Sequence, residues 1–156
     1  MKIKMIYVGK SKKEYLKGSL QDFYVRIKKY ISLEEIIIPD ASGKGGDVKK
    51  RMISEGDSIL DKIKDNEIVI LMDEKGKRMT SRVFADYINE KMVYSRSNIV
   101  FVVGGAFGFS EAVKLRSNDS IRLSDMTFSH QLIRLIMAEQ LYRAMSIING
   151  HPYHND

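Results

Sequence analysis

Ile99-Val100-Phe101-Val102-Val103-Gly104-Gly105-Ala106-Phe107-Gly108 is an unbroken apolar run, mostly β-branched, that ends in a glycine-rich turn. A run that short, branched and free of polar alternation reads as a strand buried on both faces, the signature of a parallel sheet. Ile68-Val69-Ile70-Leu71-Met72 repeats the pattern upstream. Between the two runs a helix starts at Ser81, with Val83, Phe84, Tyr87, Ile88 and Met92 at helical spacing on its inner side. Downstream come a short helix from Ser110 to Arg116, a strand from Ser120 to Leu123 and a long helix from about His130 to Asn149.

The N-terminal half supplies the rest of the alternation. Ile3, Met5 and Tyr7 mark a first strand that ends at Gly9. Ser11-Lys12-Lys13-Glu14 has the spacing of a capping box. Behind it Leu16, Leu20, Phe23, Ile27 and Tyr30 predict an amphipathic helix with a basic outer face. Leu33 to Ile38 is a second strand, stopped by Pro39. Pro39 to Gly46 reads as a loop, with Gly43–Gly46 the one plausible hinge. A helix follows from Asp47, with Val48, Met52, Ile59, Leu60 and Ile63 as its apolar members. Strands alternating with helices predict an α/β fold, a mostly parallel sheet flanked by helices, in one domain spanning residues 1–156.

Composition narrows the function classes. Lys and Arg exceed Asp and Glu by 26 to 20, a formal charge of +6 that suits a polyanionic partner without requiring one. The chain has no Cys, which excludes disulfides, Cys-ligated zinc and the thiolate route to C5 methylation of pyrimidines. The opening Met1-Lys2-Ile3-Lys4 alternates as a strand does and is no signal peptide. No apolar run approaches the ~20 residues that span a bilayer. The expected location is the cytoplasm, with no membrane partner.

Three segments carry candidate chemistry. Gly104 to Gly108 sits at a strand's carboxyl end, where α/β proteins bind ligands. It matches neither the dinucleotide fingerprint nor a P-loop, and a plain strand-to-helix turn is the alternative. Leu123-Ser124-Asp125-Met126-Thr127-Phe128-Ser129-His130 is a second strand-end loop, mixing small polar and large apolar side chains as a heterocycle pocket does. The alternative is helix capping by Thr127 or Ser129, with Met126 and Phe128 in the core. All three histidines, His130, His151 and His154, fall in the last stretch, with Arg134, Glu139 and Arg143 between them. His130 and Arg134 share a helix face, as do Glu139 and Arg143, and the latter spacing also suits a surface ion pair. The tail His151-Pro152-Tyr153-His154 can stack on bases or donate to phosphate, or simply fray. No His, Asp and Glu set has metal-ligand spacing, and no metal is expected.

Taken together, the chain resembles the RlmH family of SPOUT-class methyltransferases over its whole length. The resemblance rests on Lys2-Ile3-Lys4-Met5-Ile6-Tyr7-Val8-Gly9-Lys10, Leu71-Met72-Asp73-Glu74-Lys75-Gly76-Lys77 and Val102 to Gly108. It continues through Leu123 to Arg134, Ala138-Glu139-Gln140-Leu141-Tyr142-Arg143-Ala144 and the Tyr153-His154 tail. It implies a homodimer with a C-terminal trefoil knot, although knots are otherwise nearly absent. It implies S-adenosylmethionine as cofactor, and methylation of N3 of a pseudouridine in 23S ribosomal RNA on the assembled ribosome, with no DNA partner. Cofactor contacts then fall on Met72, Gly104, Leu123, Ser124, Asp125, Met126, Thr127 and Phe128. The catalytic and RNA side falls on His130, Arg134, Arg143, Tyr153 and His154. Two positions depart from the family pattern. Ser129 stands where many members have Pro, which implies a looser start to the last helix. Asn155 stands where members often have Lys or Arg, which implies a weaker phosphate contact.

The reaction implied is direct displacement, with N3 attacking in line with the departing sulfur and losing its proton. Positioning is the main contribution asked of the protein. His154 or His130 can accept the proton, and Arg143 or Arg134 can stabilise developing negative charge. A base that partly ionises on its own needs no dedicated acceptor. The rival readings are a ribosome-binding module without chemistry and a small nucleotide-binding regulator, the latter weakened by the missing phosphate motif.

Overall fold

The computed structural model describes residues 1–41 and 46–155. The proposed hinge at Gly43–Gly46 therefore lies largely outside the described residues, with Ser42, Gly43, Lys44 and Gly45. In chain order the elements are β1 (Lys2–Val8), α1 (Glu14–Ile27), β2 (Ser32–Ile38), α2 (Val48–Leu60), β3 (Ile68–Arg78), α3 (Ser81–Tyr94), β4 (Ile99–Val103), α4 (Glu111–Arg116), β5 (Asp119–Arg122) and α5 (His130–Ile148). The five strands form one sheet in the order β2-β1-β4-β3-β5, with every pairing parallel. No helix among the described residues is long and apolar enough to cross a membrane.

Both apolar runs are central strands. β4 is buried at all five positions, and Ile3, Ile6, Tyr7, Ile70 and Phe101 are fully inaccessible. Alternate side chains feed two cores, as the pleat requires. Ile3, Met5, Tyr7, Ile70, Met72, Phe101 and Val103 join residues of α1, α3 and α5 on one face. Ile6, Val8, Val69, Leu71, Val100 and Val102 meet Ile59, Phe109 and Val113 from the α2 and α4 side on the other.

Several boundaries differ from the sequence expectation, for identifiable reasons. Ser11 caps nothing: α1 begins at Glu14, and its flanking residue Lys13 makes no side-chain cap. The chain stays extended there while the Lys12 amide meets Gln131 Oε1 of α5 at 3.4 Å, a tertiary contact that overrides the local box. β3 does not stop at Met72. After an irregularity between Met72 and Lys77 it pairs again with β5, Lys77 against Ile121 and Arg78 against Arg122. The polar Asp73-Glu74-Lys75-Gly76 hid this extension from an apolar-run argument. β5 itself spans Asp119–Arg122, one residue earlier than expected, and Val83 of α3 points outward at 50% exposure. Met126 and Phe128 are exposed, so neither serves the core.

Candidate active site

The carboxyl ends of β3 and β4 and the loop from β5 to α5 enclose a cleft of about 390 Å³, within the range of small-molecule sites. Met72 ends the apolar part of β3, Gly104 and Gly105 follow β4, and Thr127, Phe128, His130 and Ile133 close the far side. The glycine turn is tight: Gly108 N donates to Gly105 O at 3.3 Å, and Gly108 sits at φ +80°, which disfavours any side chain. A Cβ on Gly104 would stand 3.1 Å from the Phe109 ring, so this backbone comes as close to the ring as glycine allows. A small recess of about 60 Å³ adjoins the cleft and is lined by Leu123, Ser124 and Met126 with Met72 and Phe128 shared between the two.

Of the eight cofactor candidates, Met72, Gly104, Thr127 and Phe128 line the cleft, and Leu123, Ser124 and Met126 line the adjoining recess. Asp125 lines neither space. It pairs with Arg78 at 3.3 Å and Arg122 at 3.2 Å, which ties the loop to the ends of β3 and β5. Ser124 Oγ accepts from Met126 N at 2.9 Å and bends the loop. Ser129, where a looser helix start was expected, caps α5 by accepting from Leu132 N at 3.3 Å. Met126 is 77% exposed beside the cleft, an apolar side chain at the rim of a pocket rather than in a core.

His130 opens α5 and lines the cleft half-buried. Burial, together with the nearby Arg134 charge, holds its imidazole below the ordinary value, with Asp40 acting in the opposite sense. It is thus a neutral ring facing the opening near neutral pH. Arg134, one turn on, faces elsewhere. It is 2% exposed, donates from Nη2 to the Val8 carbonyl at 2.5 Å, and lies 4.9 Å from the Tyr7 ring centroid. Tyr7 in turn meets Tyr24 hydroxyl to hydroxyl at 2.6 Å. The shared face inferred for His130 and Arg134 leads to two different environments.

The other catalytic candidates form a second cluster at the far end of α5. Glu139 Oε1 accepts from Arg143 Nε at 3.0 Å and Nη2 at 2.5 Å, and from the Tyr153 hydroxyl at 3.3 Å. Arg143 Nη1 meets His154 Nδ1 at 3.1 Å, and its guanidinium lies 4.8 Å from the Tyr153 ring centroid. The Tyr153 ring packs edge-on against Tyr142 with centroids 4.6 Å apart. His151 Nδ1 lies 2.6 Å from the Tyr30 hydroxyl. The tail is therefore docked onto α5 and the turn that follows α1 by aromatic contacts rather than left as a fraying end. Burial and the Glu139 charge raise the Tyr153 phenol's pKa, so it stays protonated.

Arg143 lies thirteen helical steps beyond His130, about 20 Å at the α-helical rise. One chain does not bring the two clusters together. Residue reasoning also missed part of the cleft: Asp73 and Glu74 line it directly after Met72. Their position at a strand's carboxyl end was the available signal. Glu55 was missed as well. It is 4% exposed on α2, accepts from Ala41 N at 3.2 Å, and its Oε2 would lie 3.1 Å from a Cβ on Gly105. It lies close against the glycine turn, and burial raises its pKa. Only the combination of α2 periodicity with an inward carboxylate hinted at it.

Comparison with known proteins identifies the family. A family model described as predicted SPOUT methyltransferase covers residues 1–154. The chain is 40% identical over 157 residues to the ribosomal RNA large subunit methyltransferase H of Bacteroides thetaiotaomicron, covering the whole of both chains. It is 43% identical to the protein of that name from Parabacteroides distasonis, again over both full lengths. It is 42% identical to that of Limosilactobacillus reuteri, over 99% of each. A parallel α/β sheet, a glycine turn at a strand end and full-length identity at this level agree, and the chain belongs to the SPOUT methyltransferase family.

Proposed function

We propose that this chain uses S-adenosylmethionine to methylate N3 of a pseudouridine in 23S ribosomal RNA, acting on the assembled ribosome as a cytoplasmic homodimer. The observation that carries the reading is the cleft at the ends of β3 and β4, built from Met72, Gly104 and the Thr127–Phe128 loop, with His130 at its edge. The trefoil knot belongs to the same reading.

The residues present suit this cofactor. The glycine turn offers backbone where a side chain would collide with Phe109, and Met72, Phe128 and Ile133 offer apolar surface for a flat heterocycle. Asp73 and Glu74 are acceptors suited to ribose hydroxyls. When bound, S-adenosylmethionine supplies an electrophilic methyl group; the protein's part is to place a base nitrogen beside it.

His130 is the better proton acceptor of the two histidines. It is held neutral and lines the cleft. His154 Nδ1 already faces Arg143 Nη1, a group that can only donate, so that nitrogen is engaged by the guanidinium. Arg143 and Tyr153 are the cationic and phenolic groups for the RNA side. Arg134, buried against Val8, positions the start of α5 and with it His130.

The separation along α5 supports the homodimer. Leu132 and Ile136, one turn apart, are half-buried yet belong to neither core. A two-fold contact through this stripe in antiparallel register sets the Arg143 cluster of one subunit by the His130 cleft of the other. Relatives that share its full length are named for ribosomal RNA methylation, which supports the choice of substrate class.

Calorimetry with S-adenosylmethionine tests the reading. Binding by the wild type, lost in Gly104→Trp and weakened in the milder Phe128→Ala, supports it. A folded wild type that binds no S-adenosylmethionine refutes it.

A further inference from the structure

A second opening lies on the other side of the α5 N-terminus. It is a recess of about 340 Å³ under the segment that joins β1 to α1, lined among others by Lys10, Ser11, Lys17, Gln21, Glu35 and Arg134. Nothing in the proposed chemistry uses it. The segment above it is densely basic: Lys10, Lys12 and Lys13 are exposed, and none has a carboxylate partner among the described residues. The Tyr15 ring is 67% exposed, with Lys13 Nζ 5.8 Å from its centroid. The first turn of α1 has no side-chain cap, and Ser11 Oγ is buried without a hydrogen-bond partner.

Place matters as much as charge. The Lys12 amide meets Gln131 Oε1, the side chain next to His130, so the basic segment crosses the first turn of α5. His130 lines the cleft and Arg134 the recess, one helical turn or about 6 Å apart. Lys10 to Lys13 therefore lie within reach of a strand that has one nucleotide at the cleft. Unpaired lysines beside an exposed aromatic ring are the features that hold single-stranded RNA, phosphates on the cations and bases on the ring. Gln21 and Glu35 inside the recess add an amide and a carboxylate, which suit the donor and acceptor edges of a base.

We infer that residues 10–17 and the recess beneath them grip the RNA strand flanking the target nucleotide, with phosphates on Lys10, Lys12 and Lys13 and one neighbouring nucleotide in the recess. The inference rests on the proposed RNA methyltransferase reading and adds a substrate-holding surface distinct from the α5 tail.

Two measurements on the full-length protein with ribosomes lacking the modification test it. A photo-crosslinking amino acid in place of Tyr15 is expected to capture 23S ribosomal RNA. Capture of ribosomal protein alone, or of nothing while the wild type methylates, overturns the inference. The Lys12→Ala and Lys13→Ala double variant is expected to bind these ribosomes about 10-fold or more weakly, with S-adenosylmethionine affinity unchanged. Its log affinity against log salt should flatten by roughly 1.4–1.8, the loss of two phosphate contacts. An unchanged affinity and slope overturn the inference and leave the enzyme reading intact. A wild type that binds S-adenosylmethionine but transfers no methyl group to these ribosomes defeats both.

Discussion

Glu139 and Arg143 stand one turn apart on α5, with Arg143 Nη2 2.5 Å from Glu139 Oε1, and this pair is the seat of the C-terminal tail. The same carboxylate oxygen receives the Tyr153 hydroxyl, and the same guanidinium meets His154. An ion pair that sequence spacing alone would leave on the surface therefore orders the groups assigned to RNA. Glu139→Ala should release them. Hydrogen exchange at residues 151–155 is expected to rise sharply, and turnover on ribosomes to fall about 10- to 100-fold, while S-adenosylmethionine affinity stays within about twofold. A tail as protected as in the wild type would contradict this role.

Gly76 marks where β3 rejoins β5. A Cβ there would lie 2.6 Å from the backbone of Ile121, a contact that only a shift of β5 relieves. β5 leads into the loop proposed to hold the cofactor, so a shift of β5 is expected to reach that loop as well. Gly76→Ala is expected to cost about 2–4 kcal/mol in chemical denaturation and to weaken S-adenosylmethionine binding. A cost below about 0.5 kcal/mol would show that β5 is not held as tightly as its register implies.

Asp125 should matter for affinity more than for stability. Its partners Arg78 and Arg122 are partly solvated, and exposed pairs contribute roughly 0–1 kcal/mol. Asp125→Asn is expected to leave the melting temperature nearly unchanged. It should weaken S-adenosylmethionine binding several-fold, with the difference narrowing at high salt as screening removes the tether from the wild type too. Calorimetry at two ionic strengths reads both effects.

The His130 imidazole is lowered from its ordinary value of 6.5 by burial and by Arg134. A lowered pKa keeps the neutral, proton-accepting ring populated to more acidic pH. The acidic limb of kcat/KM on ribosomes should therefore fall below pH 6.5, and His130→Gln should abolish that limb along with most of the rate. A limb above 6.5, or one that survives the substitution, would assign proton acceptance to another group or to none.

Much of this was legible in the chain because two signals are local. Ile68–Met72 and Ile99–Val103 announced central parallel strands by composition alone, and the glycines after Val103 announced a strand-end turn. The convergence of Met72, Gly104 and Thr127–Phe128 follows from that topology, since parallel strands deliver their carboxyl ends to one edge. What stayed hidden depends on tertiary contact. Ser11 has the spacing of a cap, but Gln131 holds the chain extended past it. Arg134 has the spacing of a partner for His130, but Val8 and Tyr7 draw it inward. Asp125 reads as a pocket residue, yet Arg78 reaches it only because β3 runs on beyond Met72. The docked tail rests on Tyr30 against His151 and Tyr142 against Tyr153, aromatic partners that no local pattern connects to the tail.

The most direct measurement is to incubate ribosomes lacking the modification with the purified chain and methyl-labelled S-adenosylmethionine, then digest the RNA and identify the labelled nucleoside. A single labelled product from 23S ribosomal RNA is expected, N3-methylpseudouridine, whose yield falls when Gly104 or His130 is replaced. Label on any other nucleoside, or none at all with a folded protein that binds S-adenosylmethionine, would contradict it.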